Sequence, residues 1–62
     1  MTPEEIRALR ERLGLTQAEF AQRVGVSFFA VISRWENGHD RPLPIFVAAM
    51  KRLAAKAERR EA

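Results

Sequence analysis

Residues 15–38, LTQAEFAQRVGVSFFAVISRWENG, decide the reading of this chain. Thr16 and Glu19 have the spacing of a capping box, in which a hydroxyl and a carboxylate satisfy each other's backbone N–H groups. Leu15 and Phe20 stand at the two positions of a hydrophobic staple. Phe20, Ala21 and Val24 share one face and Gly25 stops the pattern, so a helix is predicted over 17–24. Ser27 is a candidate N-cap for a following helix over 28–37. In that helix Phe28, Val31, Ile32 and Trp35 fall at i, i+3, i+4 and i+7, one apolar stripe, and Glu36-Asn37-Gly38 closes it. A mostly polar strip is left on its other side.

The flanks extend the same pattern. Thr2, Pro3 and Glu5 supply an N-cap, a first-turn proline and a second capping-box partner. Ile6, Leu9, Arg10 and Leu13 then share a face and Gly14 ends the run, which predicts a first helix over 3–13. His39-Asp40-Arg41-Pro42 reads as a polar loop. Pro44 restarts a helix that runs to about residue 59. Phe46, Ala49, Met50 and Leu53 are its core stripe, yet Ile45, Val47 and Ala48 make its first two turns apolar nearly all round, more than one core contact needs. No segment reads as a strand, a repeat or a linker. The expectation is an all-α, compact four-helix bundle forming one domain over residues 1–62.

Composition bounds the function. A chain of 62 residues that buries only about 60% of its unfolded surface has little interior in which to desolvate a nucleophile. There is no cysteine, so neither a disulfide framework nor a thiolate metal site is available. His39 stands alone, without a second ligand at metal spacing. Glu4, Glu5 and Glu19 read as caps and first-turn charges rather than an acid/base pair. No run approaches the length of a membrane span, and the first ten residues lack the apolar run of a signal peptide. These features predict a soluble, cytoplasmic protein that is not an enzyme and takes no cofactor or metal. Eleven Lys and Arg against eight Asp and Glu leave a formal charge of +3, a mild excess for which nucleic acid is the most economical partner.

LGLTQ at 13–17, the A-xxx-GVS run ending at Ser27, ISRWENG at 32–38 and RPLP at 41–44 resemble the lambda repressor/Cro-like, or Xre-type, helix-turn-helix family. The resemblance covers nearly the whole chain. It implies a bundle of four or five helices whose second and third form the DNA-binding pair, with the third in the major groove. One spacing departs from the family: Trp35 follows Ser27 by eight residues where about seven is usual, and one extra helical residue turns everything beyond it by about 100°. Anchoring the match on the C-terminal side absorbs the extra residue near Ser27 and Phe28 and sends Phe28 into the core. Anchoring it on the other side points Phe28 at DNA.

With the C-terminal anchor the resemblance assigns base contacts to Phe29, Ala30, Ser33 and Arg34. Arg34 presents a fork that matches the O6 and N7 acceptors of guanine, while Phe29 and Ala30 are suited to thymine methyl groups. Phosphate contacts are expected from Thr16, Gln17, Ser27, Asn37, His39 and Arg41. Arg10 and Glu36 match a structural pair that ties the reading helix to the first helix. The partner implied is double-stranded DNA, which would make the protein nucleoid-associated. The spare apolar surface of Ile45, Val47 and an exposed side of Met50 is a candidate homodimer interface, with monomer and dimer on DNA both left open. The apolar reading face, the altered spacing and Leu43 in place of a small polar cap fit either a transcriptional regulator or a scaffold with a redesigned surface. The competing reading is a protein-interaction module on the same fold, antitoxin-like or adaptor-like, using Phe29 and the apolar start of the fourth helix.

Overall fold

Local signals start and stop the helices. The computed structural model describes residues 1–61, with side chains through Glu58. Helix α1 spans Pro3–Arg12, α2 Gln17–Val24, α3 Phe29–Glu36 and α4 Pro44–Glu61. At the head of α1 the Glu5 N–H donates to Thr2 Oγ1 at 3.1 Å, and the Thr2 N–H donates to Glu5 Oε1 at 2.7 Å. Thr16 and Glu19 repeat this at α2, at 3.1 and 2.9 Å. Such caps contribute about 0.5–2 kcal/mol each. The bonds from the threonine backbones, and then from their hydroxyls, hold both carboxyls below their ordinary range.

The turn between α2 and α3 is set by Gly25, whose φ of 97° is left-handed. This geometry lets the N–H groups of Gly25 and Val26 both reach the Ala21 carbonyl, at 2.9 and 2.8 Å. Among the described residues no atom would crowd a Cβ at this position, so the demand for glycine is conformational rather than steric.

The start of α3 departs from the sequence expectation. Ser27 is not the cap; Phe28 is, in extended conformation (φ −129°, ψ 136°) and with no side-chain cap bond. Phe28 is 71% exposed, so it is not the first member of the core stripe. The extra residue of the turn is taken up as an extended residue ahead of the helix. An extended residue carries no helical phase, so Val31, Ile32 and Trp35 keep their register with the core while Phe28 is released to the surface. Asn37 is the C-cap, and α3 is one residue shorter at each end than the pattern suggested.

All four helices supply the core. Ile6 and Leu9 come from α1, Phe20, Ala21 and Val24 from α2, Ile32 and Trp35 from α3, and Met50 from α4. Full burial of side chains such as Phe20 and Ile32 stabilises by about 1.5–3 kcal/mol each. Helix α3 packs on α2 and α1, and α4 packs on α2. Trp35 meets Phe46 of α4 with ring centroids 5.6 Å apart and planes tilted by 42°, within the range of favourable aromatic contacts. Met50 corrects the proposed dimer face, because it is fully buried and has no exposed side. It shares the inward stripe with Phe46, Leu53 and Ala57, spaced by four, three and four residues, and that spacing points it at the core. Among the described residues no helix is long and apolar enough to cross a membrane.

Candidate nucleic-acid interface

The inner side of α3 carries a polar centre around Glu36, which is 6% exposed. Arg10 Nε donates to Glu36 Oε2 at 2.7 Å and Arg10 Nη2 to Oε1 at 3.1 Å. Arg7 Nε and Gln17 Nε2 donate to the same Oε1 at 3.3 and 3.4 Å. Burial pushes the Glu36 carboxyl up, but the bonds from Arg10, then Gln17 and Arg7, outweigh it and hold the group below the usual carboxylate range. In return, the bond to Glu36 raises the Arg10 guanidinium against its own desolvation. Among the described residues no buried side-chain nitrogen or oxygen is left without a partner.

Arg10 has a third bond, from Nη1 to the Leu15 carbonyl at 3.1 Å. Leu15 immediately precedes the Thr16 cap, so one guanidinium spans the head of α2 and the back of α3. The head of α2 is therefore held in a set position relative to the outer strip of α3. In the first turn of α2 the N–H groups of Gln17 and Ala18 have no acceptor within the helix and form its positive end. Thr16 Oγ1 accepts from the Glu19 N–H at 3.1 Å, which places the hydroxyl at the mouth of this turn. Gln17, half-buried, has one amide N–H turned to Glu36 and a second to spare.

On the outer side of α3, Phe29, Ala30 and Arg34 are exposed and Ser33 is half-buried; Asn37 continues the strip. Asn37 Nδ2 donates to Ser33 Oγ at 3.3 Å, one turn back. Gly38, at φ 77°, turns the chain away, and the His39 N–H closes the helix on the Arg34 carbonyl at 2.9 Å. His39, Asp40 and Arg41 form the exposed loop beyond, and Ser27 lies exposed in the preceding turn.

Two participants were not foreseen from the residue pattern. Arg7 joins the Glu36 centre from one turn before Arg10, and the i, i+3 spacing of the two arginines is the signal that would have found it. Asp40 accepts a close hydrogen bond from Arg34 Nε and a second, at 3.4 Å, from Arg34 Nη2. No helical period links residues 34 and 40, because Gly38 breaks the helix between them. Among the described residues no cluster of three or more His, Cys, Asp or Glu side chains is placed to hold a metal ion.

Two short helices joined by a left-handed turn, the first capped by Thr16 and the second held from behind and open in front, define a helix-turn-helix protein. The family model described as "Helix-turn-helix" matches residues 6–56, which includes every residue of the Glu36 centre and all of α2 and α3. The chain belongs to this Xre/lambda repressor-like helix-turn-helix family, a family of DNA-binding regulatory domains. No curated protein and no solved structure gives a significant match.

Proposed function

We propose that this chain is a sequence-specific binder of double-stranded DNA, acting as a transcriptional regulator with α3 laid in the major groove. The observation that carries the reading is the division of α3 into two sides. Ile32, Trp35 and Glu36 commit its back to the fold, while Phe29, Ala30, Ser33 and Arg34 have no core role and form the base-reading strip. Arg34 reads a guanine through its guanidinium fork, and Phe29 and Ala30 meet thymine methyl groups. The first turn of α2, with Thr16 and Gln17, takes a phosphate on its free N–H groups. Ser27, Asn37, His39 and Arg41 add backbone contacts on either side of α3, which set register without reading sequence.

The direct test is titration with random-sequence duplex at low and moderate salt, followed by selection of preferred sites from a random library. A DNA binder loses affinity steeply as salt rises, because each neutralised phosphate releases counterions. No binding at low salt refutes the proposal. The chain is small, and dimerisation on half-sites one turn apart is the usual way to add contacts. Leu43 and Ile45, exposed to 63% and 68%, with Val47 at their edge, are the proposed dimer patch now that Met50 is excluded. A strictly monomeric mass at high micromolar concentration, with and without DNA, removes it.

A second reading is favoured by one observation: Phe28 and Phe29 are adjacent and exposed, to 71% and 58%. Two exposed aromatic rings suit a protein partner. That reading predicts no salt-dependent binding to duplex, so the same titration separates the two.

A further inference from the structure

Arg34 is not a freely moving arginine. The Gly38 turn folds the chain back so that Asp40 lies against it, and the turn is itself anchored on the Arg34 carbonyl through the His39 N–H. The Asp40 carboxylate then takes the guanidinium along one edge, Oδ2 from Nε and Oδ1 from Nη2. A guanidinium carries five N–H donors in a fixed plane. The side-on contact uses the Nε hydrogen and one hydrogen of Nη2. Among the described residues no group takes either Nη1 hydrogen or the second Nη2 hydrogen, and these form the outward end of the fork. That end is the edge that pairs with O6 and N7 of guanine.

We infer that Asp40 is a specificity-determining residue, which holds Arg34 side-on so that the end of its fork is presented to a guanine. The inference rests on the DNA-binding reading above and extends it to a residue of the loop. Two alternative reasons for the pair are weak. Both side chains are about half exposed, and an ion pair in water adds little to the stability of a fold. Nor does a carboxylate help general affinity, since it brings negative charge to a surface that faces phosphates. What it does supply is orientation: a lone arginine must be ordered from many rotamers on docking, and one held in place has less to lose. The bond from Arg34 also keeps the Asp40 carboxyl below its ordinary range, so the holding charge is present at neutral pH.

The test compares the unmodified protein with Arg34→Ala, Asp40→Ala and Asp40→Asn. The ligands are the duplex selected from a random library and three duplexes with its Arg34-dependent guanine pair replaced. The unmodified protein is expected to prefer guanine by about 5- to 150-fold, the span of one bidentate contact. Arg34→Ala brings the preference to near one. Asp40→Ala leaves binding to random duplex equal or tighter and lowers the guanine preference by at least threefold; Asp40→Asn, which keeps one acceptor without charge, falls between. Thermal midpoints within a few degrees of the unmodified protein separate this from a loss of fold. An unchanged or increased preference in Asp40→Ala overturns the inference, as does a preference that does not depend on Arg34. Failure of the underlying reading is seen earlier and separately, as no binding of the unmodified protein to any duplex at low salt.

Discussion

Replacing Glu36 by glutamine tests the polar centre that joins α1, α2 and α3. The substitution keeps shape and removes charge. Glu36 accepts four bonds through two oxygens, three of them from arginines. An amide of the same shape has one accepting oxygen, so in either orientation its NH2 faces a guanidinium donor. Arg7 is half exposed and regains water, but the Arg10 side chain is only 18% exposed and is left charged with little solvent. Breaking a buried pair from one side costs about 3–5 kcal/mol; the remaining access of Arg10 to water places this case near 3. A domain of this size has a total stability of about 3–9 kcal/mol, so the variant is close to the edge of folding. At about 4–8 °C per kcal/mol, its thermal midpoint falls by roughly 12–24 °C. Helical circular dichroism follows the transition, and Trp35, the single tryptophan and 3% exposed, reports loss of the core by fluorescence. A loss smaller than about 1 kcal/mol refutes the account of the centre. The double replacement Arg10→Met with Glu36→Met is expected to cost less than Glu36→Gln alone, because no charge is stranded.

The same carboxyl sets a pH dependence: its value in the fold lies below the unfolded one, so its stabilisation is complete above about pH 4–5 and is lost as pH falls through the folded value. Urea midpoints between pH 7 and 2 should decline in acid, and less steeply in Glu36→Gln. Thr16→Ala removes a cap that takes the Glu19 N–H and should cost about 0.5–2 kcal/mol, measured by urea unfolding. Gly25→Ala meets no atom but holds alanine in a left-handed conformation, at a cost of about 1–2 kcal/mol; an unchanged midpoint contradicts the conformational argument. Gln17→Ala should weaken binding to all duplexes about equally, whereas Arg34→Ala relaxes preference at one base pair; equal losses across a panel of sites from both contradict the assigned roles.

The elements of this fold were legible because their signals are local. Thr2 with Glu5 and Thr16 with Glu19 mark helix starts within four residues, and Gly25 marks a stop through its own backbone. The apolar periods of α1, α2 and α4 likewise lie within single helices. Phe28 was misplaced because it satisfies the helical period of Val31, Ile32 and Trp35, whereas the backbone enters the helix one residue later than the pattern assumes. Met50 was half misread for a related reason: a helix start that is apolar all round does not show by period alone which side faces the core. Around the candidate site, the pairing of Arg10 with Glu36 was expected from family resemblance, not from spacing, since 26 residues separate them. The contact between Arg34 and Asp40 had no signal at all, because it exists only after Gly38 has turned the chain.

The two-sided build of α3 governs which positions are free to change. Substitutions at Phe29 and Ala30 touch exposed surface without a hydrogen-bond partner to strand, and changes of that kind usually stay within about 0.5 kcal/mol of neutral. These positions can therefore drift one at a time, rewriting the outer strip while the fold is maintained by residues that never see it. Position 34 is different. Loss of its arginine leaves the Asp40 carboxylate with nothing to orient, so on the inference drawn above residues 34 and 40 are expected to vary together, as one unit of inheritance on an otherwise divisible surface.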